Sequence, residues 1–235
     1  MDIINQESLR GNTIMSSLDK GLVLRMNIRS SIDNFLQDLS GNNNKGVFGA
    51  GLAKPSWINE DTDSEKALKF DGVDDYLVIS NSSSLQMKKK LSIAAKLKFH
   101  DTPAGWGLIA ERFSGFGFGS GLSERNVRFN IWIPSEISTV FSPIYPIGES
   151  HFFVGTYDFN AKSNQQKFYI DGFLYDEKNV IPKELAKIKS DIYVGATKDG
   201  DYPTPICLED FIIWNRVLKP NEIRTLPLDL KKLLI

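Results

Sequence analysis

The sequence is poor in the residues that disulfides and transition-metal sites require. It contains one cysteine, Cys207, and two histidines, His100 and His151, among 235 residues. A single cysteine excludes an intrachain disulfide and a cysteine-based zinc site, and two distant histidines do not supply a nitrogen cluster. A disulfide-dense secreted scaffold is therefore excluded, whereas secretion itself is not.

The chain also lacks an excess of charge and any long apolar run. Its 28 basic and 29 acidic residues give a net charge of −1, so electrostatics offers no case for nucleic acid or an anionic membrane as partner. No apolar run approaches the roughly 18 residues expected of a membrane span. Residues 1–20 lack a basic stretch followed by an apolar one, so no signal peptide is visible.

Short β-type runs, separated by turn residues, fill most of the chain. The run LSIAAKLKF (91–99) alternates apolar and other residues with the two-residue period of a strand. Similar runs are GLVLRMN (21–27), ALKF (67–70), YLVIS (76–80), GLIAE (107–111), VRFNIWI (127–133), FFVGTYD (152–158), QKFYID (166–171), FLYD (173–176), DIYVG (191–195) and LEDFIIWN (208–215). Many short strands without long helical stretches predict an all-β sandwich or jelly roll and argue against a parallel α/β fold.

The sequence predicts three kinds of local structure in more detail: a hairpin, two short helices and a turn. Asp171-Gly172, between two β-type runs, predicts a two-residue hairpin of type I′. A proline at the first position of each segment, followed by helix-forming residues, predicts short helices over 182–189 and 220–226. In DGVDDYLVIS (71–80), we interpret the aspartates as turn residues whose side chains accept bonds from nearby main-chain N–H groups.

Several segments together resemble the laminin-G-like, concanavalin A-like jelly-roll family in its bacterial and viral form. The segments that carry the resemblance are DKGLVLRMN (19–27), DLSGNNNKGVFGAG (38–51), KALKFDGVDDYLVIS (66–80), LSIAAKLKF (91–99), HFFVGTYDFN (151–160) with KFYIDGFLYD (167–176), IYVGATKDG (192–200) and LEDFIIWNRVLKPNEI (208–223). The resemblance implies a two-sheet antiparallel jelly-roll sandwich with one or two short helices. It divides the chain into an N-terminal arm (1–18), the jelly-roll domain (19–226) and a C-terminal tail (227–235).

The resemblance also implies a calcium site between an early loop and the last strand. Asp38 and Glu209 would give side-chain oxygens to the ion, and Asn43 mainly a carbonyl, which suits the oxygen preference of calcium. Glu209 stands where the family usually has an aspartate. The alternative is that SGNNNKG (40–46) forms only a turn, because Asn and Gly dominate turns.

Paired acids of a glycoside hydrolase are not apparent. Retaining enzymes need two carboxylates about 5 Å apart, and along a strand residues i and i+2 share a face. Glu209 and Asp210 are adjacent and are expected on opposite faces of their strand, while Asp199 and Asp201 have the right spacing but fall in a loop. An active site built across distant strands stays open as an alternative.

Aromatic residues in loops are the remaining indication of binding, because sugar sites combine aromatic faces with a few polar groups. The loop KDGDYPTPI (198–206) joins Tyr202 to Asp199 and Asp201, and we predict it as a ligand-binding rim. The run SGFGFGSG (114–121) lacks the pattern of a phosphate loop. It predicts a hairpin or bulged edge with Phe116 and Phe118 on one face.

These observations favour a non-catalytic recognition or structural module that binds a glycan or a protein surface. A virion role, as a phage capsid decoration or tail-associated component, fits the arm, the lack of a signal peptide and the Lys-, Asn- and Ile-rich composition. Capsid or tail subunits are then expected partners, a homo-oligomer stays open, and the expected location is the virion or an extracellular surface. The alternative is a carbohydrate-active enzyme of the same superfamily.

Overall fold

The computed structural model describes residues 17–28, 35–59, 66–133, 136–181, 184–185 and 188–232, with side chains to Pro227 in the final helix. Sixteen strands lie in these ranges: β1 Leu22–Arg25, β2 Phe35–Leu36, β3 Gly46–Phe48, β4 Ser56–Asn59, β5 Lys66–Asp71, β6 Leu77–Ile79, β7 Lys90–Phe99, β8 Gly107–Arg112, β9 Phe116–Ser120, β10 Arg128–Ile133, β11 Glu136–Phe141, β12 His151–Asp158, β13 Gln166–Ile170, β14 Phe173–Lys178, β15 Ile192–Gly195 and β16 Pro205–Trp214. Short 3₁₀ turns occur at Gly51–Ala53 and Ser83–Leu85, and helix α1 spans Pro220–Lys232.

The strands form two antiparallel sheets of eight strands each. The helix-side sheet has the order β14-β13-β12-β7-β16-β5-β4, with β1 also pairing with β16. The second sheet has the order β11-β10-β9-β8-β15-β6-β3-β2. Non-consecutive neighbours in both sheets mark crossovers between them, so the predicted two-sheet, all-β jelly-roll sandwich is confirmed.

The main core lies between the two sheets, where each strand places every second residue inward. Four phenylalanines form its centre, with Phe118, Phe129, Phe153 and Phe168 joined by ring-centroid distances of 5.7 to 6.2 Å. Two of these rings come from each sheet. Their interdigitation fixes how the sheets face one another, because large aromatic side chains bury the most apolar area.

Helix α1 covers the outer face of the helix-side sheet. Its Ile223 and Leu226 are buried in a second apolar cluster with Phe152, Val154 and Trp214. The helix predicted over 220–226 is confirmed, and it continues to Lys232, past the predicted start of the tail. Among the helices that the structure describes, none combines the length and the apolar character needed to cross a membrane.

The first described residues are fastened to the end of β16 and to this helix, where Ser17 Oγ donates to Glu222 Oε1 at 3.0 Å. Trp214 Nε1 donates to the carbonyl of Leu18 at 2.7 Å, and Arg216 donates to the carbonyl of Ser17 at 2.6 Å. Arg216 also donates to both carboxylate oxygens of Glu222, at 2.8 and 2.9 Å. The predicted arm falls largely on residues 1–16, which lie outside the described residues.

The helix predicted over 182–189 is wrong for the part that the structure describes, since 184–185 and 188–189 are not helical. Leu185 N donates to the carbonyl of Lys88 at 2.8 Å, which ties the segment to the chain ahead of β7. The carbonyl of Ile188 accepts from Arg112 Nη2 at 2.8 Å and from Gln86 Nε2 at 2.7 Å. Tertiary hydrogen bonds thus use the main-chain groups that a helix would pair internally.

The predicted Asp171-Gly172 hairpin is confirmed between β13 and β14. Asp171 and Gly172 have φ values of 51° and 87°, the positive values that a type I′ turn requires.

The aspartates of 71–80 form the predicted turn between β5 and β6. Asp71 Oδ1 accepts from the main-chain nitrogen of Val73 at 2.8 Å and more distantly from those of Asp74 and Asp75. The carboxylate oxygens of the three aspartates lie within 4.8 Å of one another. Burial raises the pKa of Asp75 to about 6, and the neighbouring acids add to the shift. The interpretation as turn residues is confirmed.

Replacing Asp71 with alanine is expected to lower the free energy of unfolding by about 1–2 kcal/mol, because three N–H groups lose a charged acceptor. Asp74→Ala is the matched control, since it removes a neighbouring negative charge without removing the turn's acceptor. Urea unfolding of both variants measures the effect. Equal losses in the two would show that the Asp71 hydrogen bonds contribute nothing beyond charge.

Candidate functional site

The outward face of the second sheet carries a row of polar residues across neighbouring strands. Register places Tyr193, Glu111, Gly117, Asn130 and Thr139 side by side, from β15 to β11. Directly paired residues of antiparallel strands share a face. The row therefore brings together side chains that are up to about 80 residues apart in the chain.

Strand β9 gives this face a trough. Phe116 and Phe118 point into the core, as the alternation in SGFGFGSG predicts, so Gly117 and Gly119 face outward. The outward side of β9 has no side chains, and the Arg128 guanidinium fills part of the space above it. A Cβ at Gly119 would lie 2.6 Å from Arg128 Nε and Nη2. We call this largely buried group, the two glycines with Glu111, Arg128 and Asn130 beside them, the trough.

A buried carboxyl group lies at the floor of the trough. Glu111 is 2% exposed, and its Oε2 is 3.5 Å from Arg128 Nη2. Burial raises the pKa of Glu111 to about 7, although the positive charge of Arg128 and the side chain of Asn130, which donates toward the carboxyl, oppose the shift. This carboxyl therefore changes its charge near neutral pH.

Asn130 brings an amide that lacks one of its partners. Thr139 Oγ1 donates to Asn130 Oδ1 at 2.8 Å, which turns the amide nitrogen away from β11. Asn130 is fully buried, and its Nδ2 has no hydrogen-bond partner in the part of the chain that the structure describes. The Glu111 carboxyl faces this donor without completing a full hydrogen bond. A buried donor without a full hydrogen bond is uncommon, so an oxygen atom from outside would fit here.

Aromatic side chains border the trough. Trp106, 44% exposed, lies with its ring centre 5.2 Å from the Arg128 guanidinium carbon. Tyr202 is also about half exposed; its carbonyl accepts from Leu108 N at 2.8 Å, and its ring lies 6.1 Å from that of Phe113. These exposed rings beside a polar floor give the trough the composition of a sugar site.

The structure places the predicted rim loop at the edge of this trough. Asp201 N donates to Thr197 Oγ1, and the carbonyl of Asp201 accepts from Thr197 N, both at 3.0 Å. This turn holds Tyr202 against β8 and leaves Asp199 and Asp201 exposed. A ligand-binding role for Asp199, Asp201 and Tyr202 stays a prediction.

Sequence reasoning did not single out Glu111, Arg128 or Asn130. Each lies in a predicted strand, where polar residues are ordinarily assigned to a solvated face. The signal that could have found them is the glycine alternation at 117 and 119, because a strand face without side chains leaves room for long neighbours and for a ligand.

Of the residues implied for calcium, Asp38 is engaged by hydrogen-bond donors. Its Oδ1 accepts from the main-chain nitrogens of Arg25 at 3.0 Å and Ser40 at 2.9 Å. Its Oδ2 accepts from Ser40 Oγ at 2.8 Å and from Asn44 N and Nδ2, both at 3.1 Å. Through these hydrogen bonds the carboxylate closes the early loop onto β1.

Asn43 lies beside Asp38, and Glu209 has other partners. Asn43 adopts a left-handed φ of 58° and lines a shallow cavity of about 310 Å³ with Asp38. Glu209 forms an ion pair with Lys96 and accepts from Ser150 Oγ at 2.5 Å. Both carboxylates accept from protein donors in this conformation, and a shared ion would have to replace those donors.

The expectation that Glu209 and Asp210 lie on opposite faces of β16 is wrong. Register along β7 passes from Leu208 to Asp210 in one step, so Glu209 is the extra residue of a bulge. Asp210 pairs with Lys96 in register, and Glu209 contacts the Lys96 ammonium. The bulge therefore brings both carboxylates to the side of Lys96.

Calcium binding at Asp38 remains a proposal, and it requires this carboxylate to exchange hydrogen-bond donors for the ion. If it occurs, calcium added to EDTA-treated protein should release or absorb heat and raise the melting temperature, and Asp38→Asn should abolish both responses. Isothermal calorimetry and thermal melts give the measurement. No heat together with an unchanged melting temperature would reject the calcium site.

Comparison with known proteins supports the fold. A family model described as the concanavalin A-like lectin/glucanases superfamily matches residues 71–224. No curated protein matches the chain.

Three solved structures illustrate the likeness. The binding domain of Paraclostridial Mosquitocidal Protein 1 is 17% identical with a TM-score of 0.68, over 89% of this chain and 52% of that one. The botulinum neurotoxin serotype D ligand-binding domain, in complex with N-acetylneuraminic acid, is 15% identical with a TM-score of 0.70, over 94% and 53%. The binding domain of botulinum neurotoxin DC, in complex with rat synaptotagmin II, is 16% identical with a TM-score of 0.64, over 88% and 51%.

This chain spans about half the length of these binding domains, and at these identities the likeness shows the fold alone. The family model covers most of the jelly roll, including the turn at Asp71 and the last strand β16. The chain belongs to the laminin-G-like family of the concanavalin A-like lectin/glucanase superfamily.

Proposed function

We propose that the chain is a non-catalytic recognition module that binds a glycan in the trough on the second sheet. The observation that carries the proposal is the buried Glu111–Arg128–Asn130 group on an outward sheet face, with exposed aromatic rings beside it. Binding of N-acetylneuraminic acid and of synaptotagmin by the similar toxin domains supports a recognition role for this kind of sandwich.

The arrangement suits a sugar because it combines apolar surface with a few fixed polar groups. Trp106 and Tyr202 offer rings on which the apolar side of a sugar ring can pack. Arg128 and Asn130 offer N–H donors, and Glu111 offers a carboxyl that accepts or donates according to its charge. Most of these groups lie on paired strands, which fix their spacing more firmly than a loop would.

Hydrolysis is the weaker alternative because the row contains one carboxyl group. Across the sheet, Glu111 is flanked by Tyr193 on one side and Gly117, Asn130 and Thr139 on the other. Glycosidases require a second carboxylate at about 5 Å or at about 6.5–9.5 Å. A polysaccharide panel, with Glu111, Glu209 and Asp210 mutated in turn, tests for activity; turnover that depends on any of them would establish an enzyme.

Replacing Trp106 with alanine is expected to weaken glycan binding by about tenfold or more, as loss of a central aromatic contact commonly does. Tyr175→Ala is the matched control, because Tyr175 is similarly exposed but lies on the edge strand β14. A glycan array followed by calorimetry on the strongest ligand gives the measurement. Equal binding by wild type and Trp106→Ala would place the site elsewhere.

A protein surface is the second candidate ligand, and the edge strand β14 favours it. All six of its residues are exposed, including Phe173, Leu174 and Tyr175. An exposed apolar edge strand is a ready template for pairing with another chain. Sedimentation of the wild type and of Leu174→Lys tests pairing between copies; a monomer at all concentrations would count against the homo-oligomer.

We further propose a virion role, with capsid or tail subunits as partners and the virion or an extracellular surface as location. The support is the sequence alone: a module with an N-terminal arm and a composition rich in Lys, Asn and Ile, which a virion component fits. Genes for capsid or tail proteins beside this one would favour the role. Unchanged particle assembly after deletion of residues 1–17 would count against docking by the arm.

A further inference from the structure

We propose that the trough selects glycans that carry a carboxylate, that Arg128 and Asn130 bind this group, and that Glu111 takes up a proton when it binds. The inference rests on the proposed function and names the ligand class of the same site. It follows from the balance of donors, acceptors and charges among the described residues of the trough.

The trough has more N–H donors than acceptors. Arg128 Nε donates to the carbonyl of Ser120 at 3.0 Å, and Nη2 lies 3.5 Å from both the Gly107 carbonyl and Glu111 Oε2. Arg128 Nη1 makes no hydrogen bond to a described residue, and the same holds for Asn130 Nδ2. The two donors without partners lie on strand β10, two residues apart, on one face.

A single carboxylate can accept hydrogen bonds from both donors. It presents two oxygens with several lone pairs, so one group can accept from a guanidinium and an amide together. A hydroxyl could accept one such bond but would bring no charge to Arg128. Trp106, stacked near the guanidinium, holds Arg128 over the trough and leaves much of its own ring for the sugar.

The charges facing Glu111 explain why a proton accompanies the ligand. From β10 it faces Arg128 and the Asn130 side chain, from β9 glycine, and from β15 Tyr193, whose pKa is raised chiefly by burial. The loop beyond β15 adds exposed Asp199 and Asp201 at the rim. Arg128 is thus the cation paired with Glu111 on this face.

Ionised Glu111 neutralises Arg128, whereas protonated Glu111 leaves its positive charge for an incoming anion. The pKa of Glu111 lies at about 7 before ligand binds, so either state is reached near neutral pH. An anion beside Arg128 repels ionised Glu111 and favours the protonated form, and by reciprocity acid favours binding of the anion. Affinity should therefore rise as pH falls from 8 to 6.

The experiment compares carboxylate glycans with their own methyl esters. Calorimetry of the full chain uses 3′-sialyllactose and a galacturonate trimer as acids, the ester of each, and an array of acidic and neutral glycans, at pH 6 and pH 8. We expect at least one acid to bind about tenfold more tightly at pH 6, from the fraction of Glu111 protonated. Its ester should bind more weakly and without this pH dependence.

Two variants assign the effect to residues. Glu111→Gln, which mimics the protonated form, should bind the acid at pH 8 as the wild type does at pH 6. Arg128→Met should lose the preference of acid over ester; should this variant fail to fold, the acid and ester comparison on the wild type still decides.

Three results would overturn the inference. Equal binding of acid and ester, an affinity that does not change with pH, or an array that shows only neutral ligands would reject the carboxylate class and leave the proposed glycan-binding function standing. An array and probes without any binding would reject the proposed function, and the inference with it.

Discussion

At pH 8, the Glu111→Gln variant is expected to unfold with a free energy about 2–3 kcal/mol higher than that of the wild type. Glu111 is 2% exposed, and burial raises its pKa to about 7 from the ordinary 4.5. Since a folded-state pKa above the unfolded value means that folding favours the protonated form, the wild type loses stability as pH rises from about 4.5 to 7. A shift of this size corresponds to about 3 kcal/mol at pH 8, and glutamine avoids the buried charge.

Urea unfolding of the two proteins from pH 4.5 to pH 8 measures this effect. The difference should shrink toward zero near pH 4.5, where Glu111 is protonated in the folded protein. Asp75, whose pKa is raised to about 6, changes stability in the same direction at lower pH, so the difference between variant and wild type is the quantity to follow. If the free energies of unfolding of the two proteins changed with pH in parallel, ionisation of Glu111 would not destabilise the folded state.

Glu222→Gln is a control for which the change in the free energy of unfolding should have the opposite sign. Hydrogen bonds from Arg216, Lys219 and Ser17 outweigh burial and lower the pKa of Glu222. Its contribution to stability is therefore present above the unfolded pKa and lost as pH falls through the folded value. Glutamine at this position should destabilise the protein at pH 8 and lose its effect in acid, the reverse of Glu111→Gln.

The second large effect is expected for Arg112→Met, which should lower the free energy of unfolding by about 4–5 kcal/mol. Arg112 is 1% exposed and donates to the carbonyls of Leu85, Ile188 and Ser190 at 2.5 to 3.0 Å. It also donates to Asn81 Oδ1 at 2.5 Å. Methionine fills similar space but removes a donor from four acceptors, of which, among the described residues, only the Ile188 carbonyl and Asn81 Oδ1 keep a second donor, Gln86 Nε2.

Arg112→Lys separates the contribution of the positive charge from that of the hydrogen bonds. A lysine keeps the positive charge but cannot reach acceptors spread over three segments with a planar fork, so most of the loss should remain. Arg125→Met is the matched surface control, because Arg125 donates to Tyr145 and Thr102 at a less buried position. Thermal and urea unfolding give the measurement, and a loss below about 1 kcal/mol would contradict the role of Arg112 as the link between β8 and residues 188–190.

The two buried charged groups on β8 thus have opposite effects on the stability of the fold. Arg112 points inward and satisfies main-chain carbonyls, which is a structural use of a charge. Glu111, its neighbour, points outward into the trough and has one cation at 3.5 Å. A carboxyl that destabilises the fold at neutral pH is expected where function requires it.

Much of the fold could be predicted from local sequence. Strand alternation in LSIAAKLKF and in the glycine run of β9, the Asp171-Gly172 turn and the Asp71 turn all depend on groups within a few residues of one another. Such features follow from backbone stereochemistry and short-range hydrogen bonding, so the sequence carries them directly. The order of these segments was enough to indicate the family.

Tertiary structure decided what depends on distant partners. Residues 184–185 and 188–189 are not helical because Arg112, Gln86 and Lys88 bind their main chain. Glu209 and Asp210 share a side because β16 bulges where it pairs with β7, and Asp38 has donors supplied by β1 and its own loop. The sequence by itself determined the sandwich and its turns through local geometry. Only the pairing of β8, β9 and β10 decided that Glu111, Arg128 and Asn130 meet, because register and burial are set by residues far away in the chain.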